Sequence, residues 1–379
     1  MLLTADTLLT GRELLRPGWI DTSGDTVRAM GAGAPPVPAD RQLGAVTVVP
    51  GFVDTHVHGG GGASFSTARP ADTAAAVEFH RRHGTTTLIA SLVTAAPAEL
   101  LRQVEALADE VRGGVIAGIH LEGPWLSASR CGAHDPALLR DPDAGELHRV
   151  LSVGSNTIRM VTLAPERAGG LDAIRRVVDA GAVAAVGHTE ATYEQTRAAI
   201  DAGATVGTHL FNAMRPIHHR EPGPVIGLLE DPRVTVEVIA DGVHLAPALY
   251  RHVTRGAGPD RVSLVTDAMS AAGMADGPYR LGPLAVDVVD GVAHVAGTQT
   301  IAGSTATMDR LFRFVVCHSG LPRDEALLQA VRQVSVNPAR ALGLADAGLA
   351  PGSAADLVVL DDELNVAGVL RRGSWIVEP

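Results

Sequence analysis

The chain has 379 residues, 46% of them hydrophobic and 19% charged, with a formal net charge of −11. That length can bury a large core, and the acid excess excludes a general affinity for nucleic acid or anionic membrane, both of which require a basic face. All 31 basic residues are arginines, so the absence of lysine also excludes Schiff-base chemistry and a carboxylated-lysine metal bridge.

The N-terminal stretch MLLTADTLLTGRELL has neither the basic head nor the apolar run of a leader, and residues 1–49 read as short segments split by TSGD and GAGAPPVPAD. From residue 50 to about 340, apolar strand-like runs alternate with alanine-, leucine- and arginine-rich helical stretches. Such alternation predicts a parallel sheet made of βα units. Eight strands are expected: FVDTHVH from 52, TTLIASL from 86, GVIAGIHL from 114, TIRMVTL from 157, AVAAVGH from 182, TVGTHLF from 205, VTVEVIA from 234 and RVSLVTD from 261. Between them, PADTAAAVEFHRRHG and ATYEQTRAAIDAG read as helices stopped by Gly84 and Gly203. The run GGGG at 59–62 reads as a flexible loop. The tail from 345 alternates strand-like runs with turns. The expected architecture is therefore a (β/α)8 barrel over residues 50–344, with a small β-sandwich domain formed by both termini, 1–49 plus 345–379. A doubly wound open sheet is the alternative. No stretch reaches the roughly 18 apolar residues of a membrane span. Cys131 and Cys317 are too few for a disulfide framework, and the expected location is the cytoplasm.

Polar residues gather at the ends of the predicted strands, which in a barrel converge on one mouth. His56 and His58 lie two apart on the first strand and so face the same way. Glu122 ends the third, His188 the fifth, His209 the sixth and Asp267 the eighth. Imidazoles and carboxylates in this combination suit zinc or iron. One or two divalent ions per chain are expected, zinc first, with iron, manganese or cobalt compatible with the same donors.

The motifs PGFVDTHVHG, HLEGPW, GAHDP, VGHT, THLFNAM, REPG, ADGVH, VTDAM and AGS, with NPARALGL and GSAADLVVLD near the end, resemble those of the N-acetylglucosamine-6-phosphate deacetylases of the amidohydrolase superfamily. The likeness spans nearly the whole chain. The first motif and ADLVVL are common to the superfamily, whereas HLEGPW with THLFNAM and REPG is specific to the deacetylases. The resemblance implies the barrel, the terminal β-domain and a homodimer. It implies that Glu122, His188 and His209 hold the metal ion kept by all members, and that His56 and His58 hold a second, with Glu122 bridging and Asp267 adjoining.

Asp267 is expected to act as base and then acid in amide hydrolysis, and His134 of GAHDP to contact the substrate and help polarise the acetamide carbonyl. Ala133, Asn212, Ala213 and His244 are expected at the substrate, and Arg220 of HHREPG is expected to reach the neighbouring subunit's site and grip phosphate with its planar fork. His120 shares a strand face with Glu122 and is a candidate supporting partner. The partner is expected to be a small amino-sugar phosphate, with no nucleic acid and no membrane. Deamination of a nucleobase, or hydrolysis of another N-acyl compound, is the alternative reaction, and a non-catalytic scaffold the alternative class.

Overall fold

Eight parallel strands occupy the middle of the chain: β1 (Phe52–Val57), β2 (Thr85–Leu92), β3 (Gly118–Glu122), β4 (Ile158–Leu163), β5 (Val183–Val186), β6 (Ala204–Gly207), β7 (Thr235–Val238) and β8 (Val262–Leu264). They pair strictly in chain order. The structure, a computed structural model, describes residues 1–345 and 347–379. Asp346, which falls within the segment predicted for the C-terminal part of the small domain, lies outside the described residues.

All eight predicted strands are present, most of them shorter than the apolar runs that announced them. The third starts at Gly118 and not Gly114, because Gly114 adopts φ +74° and turns the chain out of the preceding helix first. Strand interiors are buried on both faces, as covered parallel sheets require.

The ring closes beyond the last strand. Asp267 donates its backbone N–H to the His56 carbonyl at 2.8 Å and His58 donates to the Ala268 carbonyl at 2.8 Å. Below this seam the Thr266 hydroxyl donates to the Asp54 carboxylate at 2.5 Å. Burial pushes the Asp54 carboxyl up to about 7, against the lowering effect of the Thr266 and His56 hydrogen bonds.

Helices α1 (Pro70–Arg82), α2 (Pro97–Arg112), α3 (Ala144–Val153), α4 (Gly170–Asp179), α5 (Tyr193–Asp201), α6 (Gly223–Glu230) and α7 (Pro247–Ala257) follow the first seven strands in turn. Gly84 at φ +88° and Gly203 at φ +114° follow α1 and α5, as their sequences predicted. A capping box between Thr192 and Gln195 starts α5. In α2, Leu100, Val104, Leu107 and Ala108 share the stripe that faces the barrel.

After β8 comes an element the sequence reading did not contain, three antiparallel strands β9 (Gly277–Leu281), β10 (Leu284–Val289) and β11 (Val292–Val295), followed by α8 (Met308–His318). Leu281, Val286, Val288 and Ala293 of this insertion pack on Val93, Met269 and Ala271 beside the mouth.

The glycine run departs from expectation. Gly59–Gly60 pairs antiparallel with Ala63–Ser64, and a side chain at Gly59 would meet the Ala63 carbonyl oxygen at 2.2 Å. Close packing, not flexibility, is what these first two glycines serve.

The terminal strands form a four-stranded and a six-stranded sheet. Leu3, Leu8, Ile20, Val48, Leu357, Val359 and Leu370 from both ends of the chain share one apolar core. Thr47–Pro50 pairs antiparallel with Leu357–Leu360, so the chain's two ends are joined immediately before the barrel begins.

Candidate metal centre

At the C-terminal mouth of the barrel the side chains of His56, His58, Glu122, His188, His209 and Asp267 come together and are buried. Glu122 is the hub. Its Oε1 lies 3.0 Å from His188 Nε2, 2.9 Å from His209 Nε2 and 3.5 Å from His56 Nε2, and its Oε2 lies 3.1 Å from His58 Nε2. His188 and His209 present their Nε2 atoms 3.1 Å apart, and His56 and His58 theirs 3.2 Å apart. Asp267 Oδ1 is 3.2 Å from His58 Nε2 and 3.5 Å from His56 Nε2. Donors around one tetrahedral zinc sit about 3.4 Å from each other, so these spacings match coordination shells.

Proton positions test the fit. His58 Nδ1 lies 3.2 Å from the Ser91 carbonyl and His188 Nδ1 lies 3.0 Å from the Arg130 carbonyl. A carbonyl only accepts, so both Nδ1 atoms carry hydrogen, and a neutral ring then turns a bare Nε2 lone pair toward Glu122 oxygens that are also acceptors. Acceptors facing acceptors at 3 Å repel unless a cation lies between them or the ring takes a proton, so the arrangement calls for positive charge. The same demand for positive charge shows in His56, whose burial disfavours protonation but whose Glu122 and Asp267 neighbours outweigh it and hold it well above the ordinary imidazole range. Asp267 is raised by burial and lowered more strongly by His56 and His58, and comes to about 2. The site is thus built for cations, and its residues fit a divalent metal.

Backbone geometry aims these groups. Among the predicted strand-end residues only Glu122 ends its strand; His188 and His209 lie two residues past theirs, and Asp267 three past. All three have positive φ, +47°, +27° and +48°, an unfavourable conformation for these residues that breaks the ladder and redirects the side chain. Gly187 lets β5 pass close to its neighbours: a Cβ there would meet Thr208 Cβ at 2.7 Å and Thr162 Cγ2 at 2.8 Å.

His134 differs from the histidines around it. The Thr94 backbone N–H points at its Nδ1 from 3.3 Å, with the Thr94 hydroxyl at 2.8 Å, so Nδ1 accepts and Nε2 carries the proton. That Nε2 lies 3.4 Å from Glu122 Oε2. Burial, opposed by the Glu122 hydrogen bond and aided by His188, brings its pKa down to about 4. His134 is therefore a neutral N–H donor aimed at the mouth, which is the wrong tautomer for a ligand and the right one for a carbonyl oxygen.

A cavity of about 310 Å³ opens above the cluster, with Ala133, His134, Asn212, Ala213 and His244 among its walls. Asn212 spends its amide N–H on the His209 carbonyl at 3.1 Å and so shapes the wall. His244 Nδ1 is 2.7 Å from Asp241 Oδ2; burial pulls its pKa down, the carboxylate pulls harder, and the net shift is upward. Arg220 is exposed on the loop after β6, with Nη1 2.6 Å from His219 Nε2, outside that lining.

Glu237 was missed. It lies in VTVEVIA, buried in β7, with Oε2 3.4 Å from His56 Nδ1. A lone glutamate in a strand buried on both faces was the available signal. Thr94 was missed too, and nothing in sequence tied it to a histidine 40 residues away. His120 bonds Ser91 Oγ at 2.9 Å and Thr162 Oγ1 at 2.8 Å, and its ring packs edge-on against His56 at 4.5 Å.

Fold and site together define a barrel whose mouth carries a buried cluster able to bind a metal, and the amidohydrolase family model matches residues 47–376, so the chain belongs to the amidohydrolase family. Within that family its relatives are sugar-phosphate deacetylases. The N-acetylgalactosamine-6-phosphate deacetylase of Escherichia coli O157:H7 is 36% identical over 376 residues, 97% of this chain and 98% of that one. The N-acetylglucosamine-6-phosphate deacetylase of Bos taurus is 38% identical, covering 89% of this chain and 86% of its own. The crystal structure of a single-residue mutant of the Mycobacterium smegmatis N-acetyl-D-glucosamine-6-phosphate deacetylase, in complex with N-acetyl-D-glucosamine-6-phosphate, superposes with a TM-score of 0.99 at 69% identity over 100% of this chain and 99% of that one. The chain is a member of the N-acetylglucosamine-6-phosphate deacetylase group.

Proposed function

We propose that this protein removes the acetyl group from N-acetylglucosamine 6-phosphate, giving glucosamine 6-phosphate and acetate. The observation that carries the reading is the convergence of His188 Nε2 and His209 Nε2 on Glu122 Oε1 at 2.9–3.0 Å, inside a chain whose relatives hydrolyse this class of amide. Glu122, His188 and His209 would hold one divalent ion, zinc first. His56 and His58, with Asp267 beside them and Glu122 shared, would hold a second. When bound, a divalent ion supplies Lewis acidity toward the acyl oxygen and acidifies water.

The chain's own groups supply the rest. Asp267 accepts the proton of the attacking water and delivers it to the departing amine nitrogen. His134 donates Nε2–H toward the acetamide carbonyl, held there by Thr94. His244, drawn toward its protonated form by Asp241, suits the sugar or phosphate end, with Ala133, Asn212 and Ala213 as walls. Arg220, exposed and outside its own cavity, would serve the site of a neighbouring copy in a homodimer. No helix among the described residues is long and apolar enough to cross a membrane.

Acetate release from N-acetylglucosamine 6-phosphate, measured beside the unphosphorylated sugar before and after chelation, tests reaction, phosphate dependence and metal at once. Release from the phosphorylated sugar alone, lost on chelation and restored by metal, is expected. Equal release from both sugars, or release untouched by a strong chelator, overturns the reading. The Escherichia coli relative makes the C4 epimer, N-acetylgalactosamine 6-phosphate, the second substrate to assay.

A further inference from the structure

Glu237 is a carboxylate sealed inside the barrel, 2% exposed, with no arginine within ion-pair distance among the described residues. Its Oε1 accepts from the Thr55 hydroxyl at 3.2 Å, and its Oε2 faces His56 Nδ1 at 3.4 Å. A carboxylate buried without a nearby cation is strongly disfavoured, so one this deep calls for positive charge close by. The route to such charge runs through His56, whose far nitrogen, Nε2, faces Glu122 and Asp267.

The histidines of the centre are not supported alike. The Nδ1 atoms of His58 and His188 rest on backbone carbonyls, those of Ser91 and Arg130. His209 Nδ1 has no hydrogen-bond partner among the described residues. Among the described residues His56 alone of these four rests its Nδ1 on a carboxylate, and a charged acceptor both fixes the tautomer and makes the opposite nitrogen a stronger metal donor. Charge points the same way. Glu122, Asp267 and Glu237 turn three carboxylates toward the ring nitrogens of His56, one negative charge more than a single divalent ion neutralises.

We propose that Glu237 is a positioning residue for the ion held by His56 and His58: it takes the Nδ1 hydrogen of His56, points Nε2 at that ion, and makes occupancy of this half of the centre depend on its charge. The inference rests on the two-ion reading above. Glu237 touches no substrate, and the ion at Glu122, His188 and His209 does not depend on it.

Metal-free protein titrated with cobalt(II) against a competing chelator tests this, with bound metal counted per chain. The wild type is expected to bind two ions. Glu237→Gln keeps an acceptor for Nδ1 but loses the charge, and is expected to weaken the second ion about 10-fold; Glu237→Leu loses both and is expected to weaken it about 100-fold. The first ion's affinity stays at the wild-type value in both. A purely structural role would instead lower the melting temperature of the metal-free protein and weaken both ions together, which overturns the proposal, as does a second ion bound by Glu237→Leu as tightly as by wild type. A wild type that binds one ion only sinks the two-ion reading, and the inference with it; the wild-type count shows which has failed. If Glu237→Leu does not fold, nitrogen-15 histidine spectra of the loaded wild type decide: hydrogen on His56 Nδ1 supports the assignment, and a bare Nδ1 overturns it.

Discussion

Asp267→Asn is the substitution that best separates proton transfer from architecture. The residue sits at φ +48°, a region that asparagine tolerates as well as aspartate, so the exchange adds no backbone strain. Its backbone N–H holds the His56 carbonyl at 2.8 Å and its carbonyl accepts from Ser304 N at 2.7 Å, and neither bond involves the side chain. Shape and closure of the barrel therefore persist, while the carboxylate 3.2 Å from His58 Nε2 is replaced by an amide that cannot accept a proton. General acid–base catalysis is worth about 10²–10⁴ in rate. Across that range kcat should fall by the equivalent of about 3–5 kcal/mol of barrier, with KM nearly unchanged because the contacts proposed for the sugar phosphate lie elsewhere. The assay is steady-state acetate release at saturating metal, with metal per chain counted on the same sample. Turnover within tenfold of wild type at equal metal content refutes the assignment. So does a loss fully rescued by more metal, since Asp267 would then be a ligand and nothing more.

Arg220→Ala should raise KM for the phosphorylated sugar about 10- to 100-fold, the worth of one charge-assisted pair, and leave the unphosphorylated sugar unaffected; an unchanged KM for the sugar phosphate removes Arg220 from the phosphate site. Gly187→Ala pushes a methyl into Thr208 and Thr162 and should cost about 1–3 kcal/mol of stability while loosening the ion at Glu122, His188 and His209, read by melting and by metal titration. His80 is buried in α1 with Nε2 2.9 Å from the Gly59 carbonyl, and burial, opposed by that bond and by Asp309 and aided by His83, brings its pKa down to about 4. Unfolded, it titrates near 6.5, so between the two values the unfolded chain binds more protons: its contribution is fully present above about 6.5 and is lost as pH falls toward 4, up to about 3 kcal/mol. Thermal melts at pH 7.5 and 4.5 should show a smaller loss for His80→Gln than for wild type; equal losses would mean that other groups govern acid stability.

Much of the barrel was legible because a strand buried on both faces must be a short apolar run, and eight such runs stand out between helices ended by glycine. The insertion β9–β11 was not, because its strands alternate polar and apolar residues as a half-exposed sheet does, and no βα rhythm marks it. Gly59 and Gly60 were misread for a related reason: the sequence shows the absence of a side chain but not the Ala63 carbonyl or the Phe79 ring that leaves no room for one. At the site, His56, His58, Glu122, His188, His209 and Asp267 were legible as residue types at strand ends. Protonation was not. Which nitrogen of His134 or His188 carries hydrogen depends on Thr94 and Arg130, partners supplied by other loops.

The two halves of the centre rest on different parts of the barrel. Glu122, His188 and His209 come from the run of strands β3 to β6, where ladders continue on both sides. His56, His58 and Asp267 stand at the seam, where β1 meets the chain beyond β8 through a few bonds made by these residues and their neighbours. Separation of Asp267 from His58 is thus set by how the barrel closes, and closure in turn leans on the Asp54 carboxylate and the Thr266 hydroxyl beneath it. A disturbance of the seam should reach the His56 half first and the interior half last. On the two-ion proposal, the ion at the seam is accordingly the one whose retention depends most on added support, which is the role proposed for Glu237.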